Sequence, residues 1–179
     1  MSAVPPPHMD AHDETVEARV GDALREAGQT VAVAESLTGG LVGSRLTDVP
    51  GSSDYFDRAV VTYSNDAKRD ALAVSRESLD AHGAVSAPVA REMAQGVRDT
   101  AGTTWGVSTT GIAGPTGGTD EKPVGLVFVG VASAAPWGTG ESFARAERYG
   151  LDGDRHAVKA ESVTRALSAL LAGVEGESA

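Results

Sequence analysis

The stretch Val31-Ala32-Val33-Ala34-Glu35-Ser36-Leu37-Thr38-Gly39-Gly40-Leu41-Val42 decides how this chain folds. Its apolar run 31–34 has the length and composition of a short buried strand. Gly39-Gly40 makes a tight turn, and Leu41, Val42, Arg45 and Leu46 start a helical pattern. A hydroxyl in such a turn projects beside the amide end of a helix, where unpaired N–H groups can hold an anion or an oxyanion. Ser36 is therefore a phosphate-gripping residue, a nucleophile or, like Thr38, an ordinary helix cap. The turn alone does not choose among these.

The rest of the chain places this unit in a larger sheet. Val16, Val20, Leu24 and Ala27 recur at helical spacing and stop at Gly28, predicting a helix before the first strand. A second strand is predicted over 58–63, with Ser64 capping a helix that begins Asn65-Asp66-Ala67-Lys68. A short helix follows over 75–82, then one capped by Ser86 with Pro88 in its first turn and Val89, Met93 and Val97 on one face. Strands are predicted over 105–109, 124–132 and 142–149. No helix separates the last two, so they form an antiparallel hairpin. Val158, Val163, Ala166, Leu167, Leu170 and Leu171 line a final helix. The expected architecture is α/β: a three-layer α/β/α sandwich around a mixed, mostly parallel five-stranded sheet. The expected organisation is a tail over 1–12 without regular structure, one domain over 13–174, and a short tail over 175–179. His8 and His12 sit four apart within the first tail, where no helical pattern holds them as metal ligands.

Composition narrows the function. The 179 residues suffice for one domain with a proper core. With only three Phe, three Tyr and two Trp, that core must be built mainly from Val, Ala and Leu. No cysteine is present, which excludes disulfides, zinc–thiolate sites and a thiol nucleophile. The formal charge of −10 disfavours nucleic acid as a partner. No apolar run approaches a membrane span, so a cytoplasmic protein without membrane attachment is expected. Only Lys68, Lys122 and Lys159 are lysines, against twelve arginines. Abundant acid with scarce lysine resembles proteins of salt-loaded cytoplasms, where screening offsets the repulsion of a negative surface. Each lysine is consequently worth questioning.

Three strand ends offer polar groups: Ser36 after the first, Tyr63 and Lys68 after the second, and Thr110 after the third. Ligands of open α/β sheets collect beyond these carboxyl ends. A serine and a lysine there suggest a Ser–Lys hydrolase, because a desolvated lysine loses proton affinity and can accept the serine proton. The Gly-x-Ser-x-Gly elbow of ordinary α/β-hydrolases is absent. The loop Gly111-Ile112-Ala113-Gly114-Pro115-Thr116-Gly117-Gly118 matches neither a dinucleotide fingerprint nor a P-loop, although its glycines permit close approach to a phosphate or sugar. His82 and His156 read as solvated or capping residues.

The runs AESLTGGLVGSRLTDVPGSSDYF, VVTYSNDAKRDAL, HGAVSAPVAREMAQG and TTGIAGPTGGTDEKPVG, with the late Gly153-Asp154-Arg155, resemble the C-terminal domain family of the competence/damage-inducible protein CinA. The resemblance runs from about residue 14 to 172 and implies the same five-stranded fold. It also implies a nicotinamide-nucleotide amidohydrolase of pyridine-nucleotide salvage, producing nicotinic acid mononucleotide and ammonia from nicotinamide mononucleotide without cofactor or metal. Carried over by position, Ser36 matches the nucleophile, Lys68 its activating base and Tyr63 the supporting tyrosine. Thr110 and Arg155 match residues of substrate handling. On chemical grounds, backbone N–H groups of Thr38, Gly39 and Gly40 are candidates for the oxyanion site. Gly111 and Gly114 are candidates for substrate approach, and Arg155 for the phosphate or the intermediate. Glu35 orients Lys68 or the substrate ring, or is a structural carboxylate. Leu37 departs from the small residue of many relatives. The chain is expected to be the stand-alone form, without the molybdopterin-domain-like N-terminal part of full-length CinA. The resemblance is compatible with a homo-oligomer, which no residue pattern here specifies. Two rival readings stand beside the amidase: a non-catalytic nucleotide-binding or interaction module, and an amidase for another amide.

Overall fold

The computed structural model describes residues 15–176; the tail expected over 1–12, His8, His12 and residues 177–179 lie outside them. Along the chain run α1 (Val16–Ala27), β1 (Val31–Glu35), α2 (Leu41–Thr47), β2 (Phe56–Val61), α3 (Asn65–Leu72), α4 (Arg76–His82) and α5 (Ala87–Ala101). They are followed by β3 (Trp105–Gly111), β4 (Leu126–Ser133), β5 (Phe143–Gly150) and α6 (Arg155–Val174). The sheet order is β2-β1-β3-β4-β5. β1 pairs parallel with both β2 and β3, and β4 runs antiparallel to β3 and β5. Four of the five strands therefore point the same way, as a mixed, mostly parallel sheet requires.

Helices cover both faces, and the residues of β1 show how they divide. Val31 and Val33 pack with Val20, Leu24, Leu46, Leu167 and Leu170 of α1, α2 and α6. Ala32 and Ala34 pack with Leu72, Leu79, Val89 and Met93 of α3, α4 and α5. This period-two alternation is what a sheet covered on both faces demands. The alanines belong on the α5 side because α5 lies almost against the sheet backbone. A β-carbon at Gly106 would come within 2.0 Å of the Ala94 carbonyl oxygen, and one at Gly130 within 2.3 Å of that of Ala90. Scarce aromatics and frequent small residues thus produce thin, closely packed layers.

Local signals stop and start the helices where capping chemistry dictates. Gly28 ends α1 in the left-handed region at φ 63°. Ser64, Ser75, Ser86 and Asp154 each accept a backbone N–H of the first turn of α3, α4, α5 and α6. Strand bounds differ more from the sequence reading. The strand expected over 58–63 lies at Phe56–Val61, because its register with β1 ends at the Val61–Glu35 pair. Beyond it, the Tyr63 carbonyl turns away to meet Lys68. The strand expected to end at 109 continues to Gly111 on the antiparallel ladder with β4. Among the described residues, no helix is long and apolar enough to cross a membrane.

Candidate active site

The turn between β1 and α2 presents Ser36, and the reason begins with its neighbour. Glu35 is wholly buried. Its carboxylate accepts the backbone N–H groups of Gly40 and Val42 on Oε2, at 2.9 and 3.1 Å, and that of Gly43 on Oε1, at 2.9 Å. Glu35 thereby caps α2, whose flanking Gly40 has no side chain to do so. A carboxylate at the amide end of a helix also meets the favourable end of its dipole. Neither Ser36 nor Thr38 is used as the cap. Of the roles expected for Glu35, the structural one matches this geometry; substrate contact does not, since the carboxylate is occupied inside the protein. Gly40 likewise cannot serve as an oxyanion donor while its N–H is held by Glu35.

Because Glu35 points toward α2, the next side chain turns to the opposite face of the sheet, where α3 lies. There the Lys68 Nζ stands 3.2 Å from the Ser36 Oγ. Lys68 is fully buried, and its nitrogen also donates to the carbonyls of Thr62 at 2.7 Å and Tyr63 at 3.1 Å. Burial pulls the ammonium down from 10.5 to about 8. The amine sits where it does because Ser64 caps α3, which sets Lys68 one turn inside that helix. The two carbonyls were not legible in the sequence; their orientation depends on how the chain leaves β2.

A cleft of about 210 Å³ opens beside this pair, lined by Tyr63, Gly111, Gly114 and Arg155 among others. Leu37, Ile112, Ala113, Thr116 and Gly117 complete its walls, the last four from the Gly-rich loop whose glycines were expected to admit a phosphate or sugar. Ser36, only 9 % exposed, borders the cleft through Leu37 without lining it. Tyr63 is two-thirds exposed at the rim. Arg155, the first residue of α6, donates Nη1–H to the Gly114 carbonyl at 2.8 Å, tying α6 to the Gly-rich loop. Gly114 holds φ at 78°, and a β-carbon there would strike Val124 at 2.5 Å, so only glycine fits this wall.

One expected substrate contact, Thr110, is turned inward, and the Thr38 side chain is buried as well. Thr110 donates its hydroxyl to the Ala84 carbonyl at 2.8 Å, fastening β3 to the segment before α5. Thr38 shares a hydrogen bond with Thr109 across 2.7 Å and is buried. Among the described residues, the N–H groups of Leu37, Thr38 and Gly39 have no hydrogen-bond partner, so these are the donors the turn leaves open. No three His, Asp or Glu side chains come together among the described residues in a way that could hold a metal ion.

A family model described as the CinA C-terminal domain matches residues 13–174. The chain belongs to the CinA C-terminal domain family. It is 55 % identical over 157 residues to a CinA-like protein of Chlorobaculum tepidum, covering 88 % of this chain and 37 % of that protein. A CinA-like protein of Salinibacter ruber is 60 % identical over 123 residues, 69 % of this chain and 30 % of that protein. The chain thus spans about a third of the length of these relatives. Among solved structures, a CinA superfamily protein from Klebsiella pneumoniae superposes with a TM-score of 0.82 at 34 % identity, covering 90 % of this chain and 96 % of that one. A competence/damage inducible protein from Agrobacterium tumefaciens gives 0.80 at 38 % identity, covering 96 % and 98 %. The CinA fold is therefore matched over nearly the whole described chain, the Ser36 turn included.

Proposed function

We propose that this chain is a metal-independent amidohydrolase that converts nicotinamide mononucleotide to nicotinic acid mononucleotide and ammonia. The observation that carries the reading is the buried Lys68 amine, 3.2 Å from Ser36 Oγ and held by two carbonyls. A neutral amine has two N–H donors and one lone pair. With both donors committed to Thr62 and Tyr63, the lone pair faces the Ser36 hydroxyl, which is the arrangement a general base needs. A purely structural lysine gains nothing from a serine at that distance in place of a carboxylate. The family resemblance supplies the substrate.

In this mechanism Lys68 takes the Ser36 proton as Oγ attacks the carboxamide carbon. The developing oxyanion is met by the open N–H groups of Leu37 and Thr38; losing one such donor typically costs ~10²–10³-fold in turnover. Lys68 then returns the proton to the amide nitrogen, the C–N bond breaks, and ammonia departs. Water, deprotonated by the same amine, hydrolyses the acyl ester on Ser36 and releases the carboxylate. Leu37, Tyr63 and the Gly111–Gly117 loop form the walls against which the substrate lies.

The test is ammonia release from nicotinamide mononucleotide in concentrated KCl, with Ser36→Ala beside the wild type. Release by the wild type alone supports the amidase and its nucleophile together. Binding of the mononucleotide without ammonia release identifies a binding module instead, and release from other amides alone identifies a different amidase.

A further inference from the structure

We infer that Lys159 forms, with Arg155, an anion subsite that holds the phosphate of the substrate; this rests on the nucleotide reading of the site. Lys159 lies one helical turn after Arg155 on α6, so the two cations share a stripe of that helix. Its side chain crosses to the catalytic turn: a β-carbon on Gly39 would meet the Lys159 Nζ at 3.7 Å. Gly39 is one of the residues whose N–H has no partner among the described residues. Lys159 is half-buried, and among the described residues no carboxylate lies within ion-pair distance of it. In a chain of net charge −10 with three lysines, a half-buried ammonium without a counter-ion beside open N–H groups is suited to an anion from outside.

Position selects phosphate over the reacting carbonyl. α6 packs with α1 and α2 on one face of the sheet, whereas Lys68 approaches Ser36 from α3 on the other. The two lysines therefore approach the turn from helices on opposite faces of the sheet. Arg155 at the cleft wall and Lys159 one helical turn further along α6, reaching Gly39, offer two positive charges, matching a phosphate monoester that carries ~1.5–2 negative charges at neutral pH. The pair also offsets locally the repulsion that the acidic surface exerts on an anionic substrate.

Ser36→Ala protein, which binds without turning over, is titrated calorimetrically with nicotinamide mononucleotide, ribose 5-phosphate and nicotinamide riboside. The same titrations are run on Ser36→Ala/Lys159→Met and Ser36→Ala/Lys159→Arg. Lys159→Met is expected to weaken both phosphate ligands by about tenfold or more, with the riboside affinity held and Lys159→Arg largely restoring binding. Unchanged phosphate affinity overturns the subsite, as does an equal loss for the riboside, which signals damage to the turn rather than a lost phosphate contact. Failure of the amidase reading is read separately: no ammonia from the Ser36-intact protein, with phosphate binding still dependent on Lys159, removes the chemistry and keeps the subsite.

Discussion

Ser36 and Lys68 are ordinary residue types whose chemistry is set by surroundings. Burial without a carboxylate neighbour lowers the Lys68 ammonium to about 8. At pH 7 that leaves about a tenth of the molecules with a neutral amine able to accept a proton. Accordingly kcat/KM should climb as pH rises through about 8 and then level; a flat profile across this range removes Lys68 as the base. Stability carries the same signature. Below about 8 both folded and unfolded states are protonated, and the fold bears the cost of a buried ammonium. Between about 8 and 10.5 the unfolded chain binds the proton and the folded one does not, so the contribution of this residue to stability rises with pH. Lys68→Met should abolish turnover, by about 10³-fold or more, and erase both pH dependences while the circular dichroism of the fold is retained.

The β1–α2 unit works because one carboxylate frees one hydroxyl. With the N–H groups of Gly40, Val42 and Gly43 bonded to Glu35, Ser36 is released from the capping role that its position would otherwise give it. Glu35→Ala leaves those donors buried without partners and should destabilise the protein by about 2–4 kcal/mol in urea unfolding. Activity should fall with it, since the turn that carries Ser36 loses its anchor. A midpoint equal to wild type would show that water replaces the carboxylate at no cost. The α3–α5 pair makes a second claim of this kind. A β-carbon at Gly96 of α5 would lie 2.0 Å from the Leu72 carbonyl oxygen at the end of α3. Gly96→Ala should therefore push α3 outward, costing about 1–3 kcal/mol and displacing Lys68 from Ser36. Turnover is expected to drop more than stability alone explains; wild-type kcat in a destabilised Gly96→Ala protein would mean that α3 does not move.

Across the whole molecule, charge and layer thickness set the working conditions. A chain of 179 residues at net charge −10 repels itself, and salt screens that repulsion over a Debye length of ~8–10 Å at moderate ionic strength. Thermal unfolding midpoints should rise from dilute buffer to concentrated KCl; a midpoint insensitive to KCl would make the acidic surface irrelevant to stability. The thin layers have a legible origin, since Ala, Gly and Val recur along β1, β4 and α5. The sheet order places the β1, β2 and β3 ends side by side, and with them Ser36, Tyr63 and the Gly111–Gly117 loop.

Sequence by itself determined the elements, the serine caps of α3 and α5, the mixed sheet and the identity of Ser36 and Lys68 as a pair worth testing. These depend on periodicity, on turn chemistry and on residues within a turn or two of one another, all of which a linear chain displays. Tertiary structure alone decided what the polar groups around the pair are for. Glu35 had an open role until α2 closed over it; Thr110 pointed toward substrate until the Ala84 carbonyl took its hydroxyl, and the Thr38 hydroxyl read as a cap until Thr109 met it. Lys159 was one scarce lysine among three until α6 brought it to Gly39, far away along the chain. A hydrogen bond has one donor and one direction, and which partner receives it is fixed only when the sheet order brings distant residues into contact.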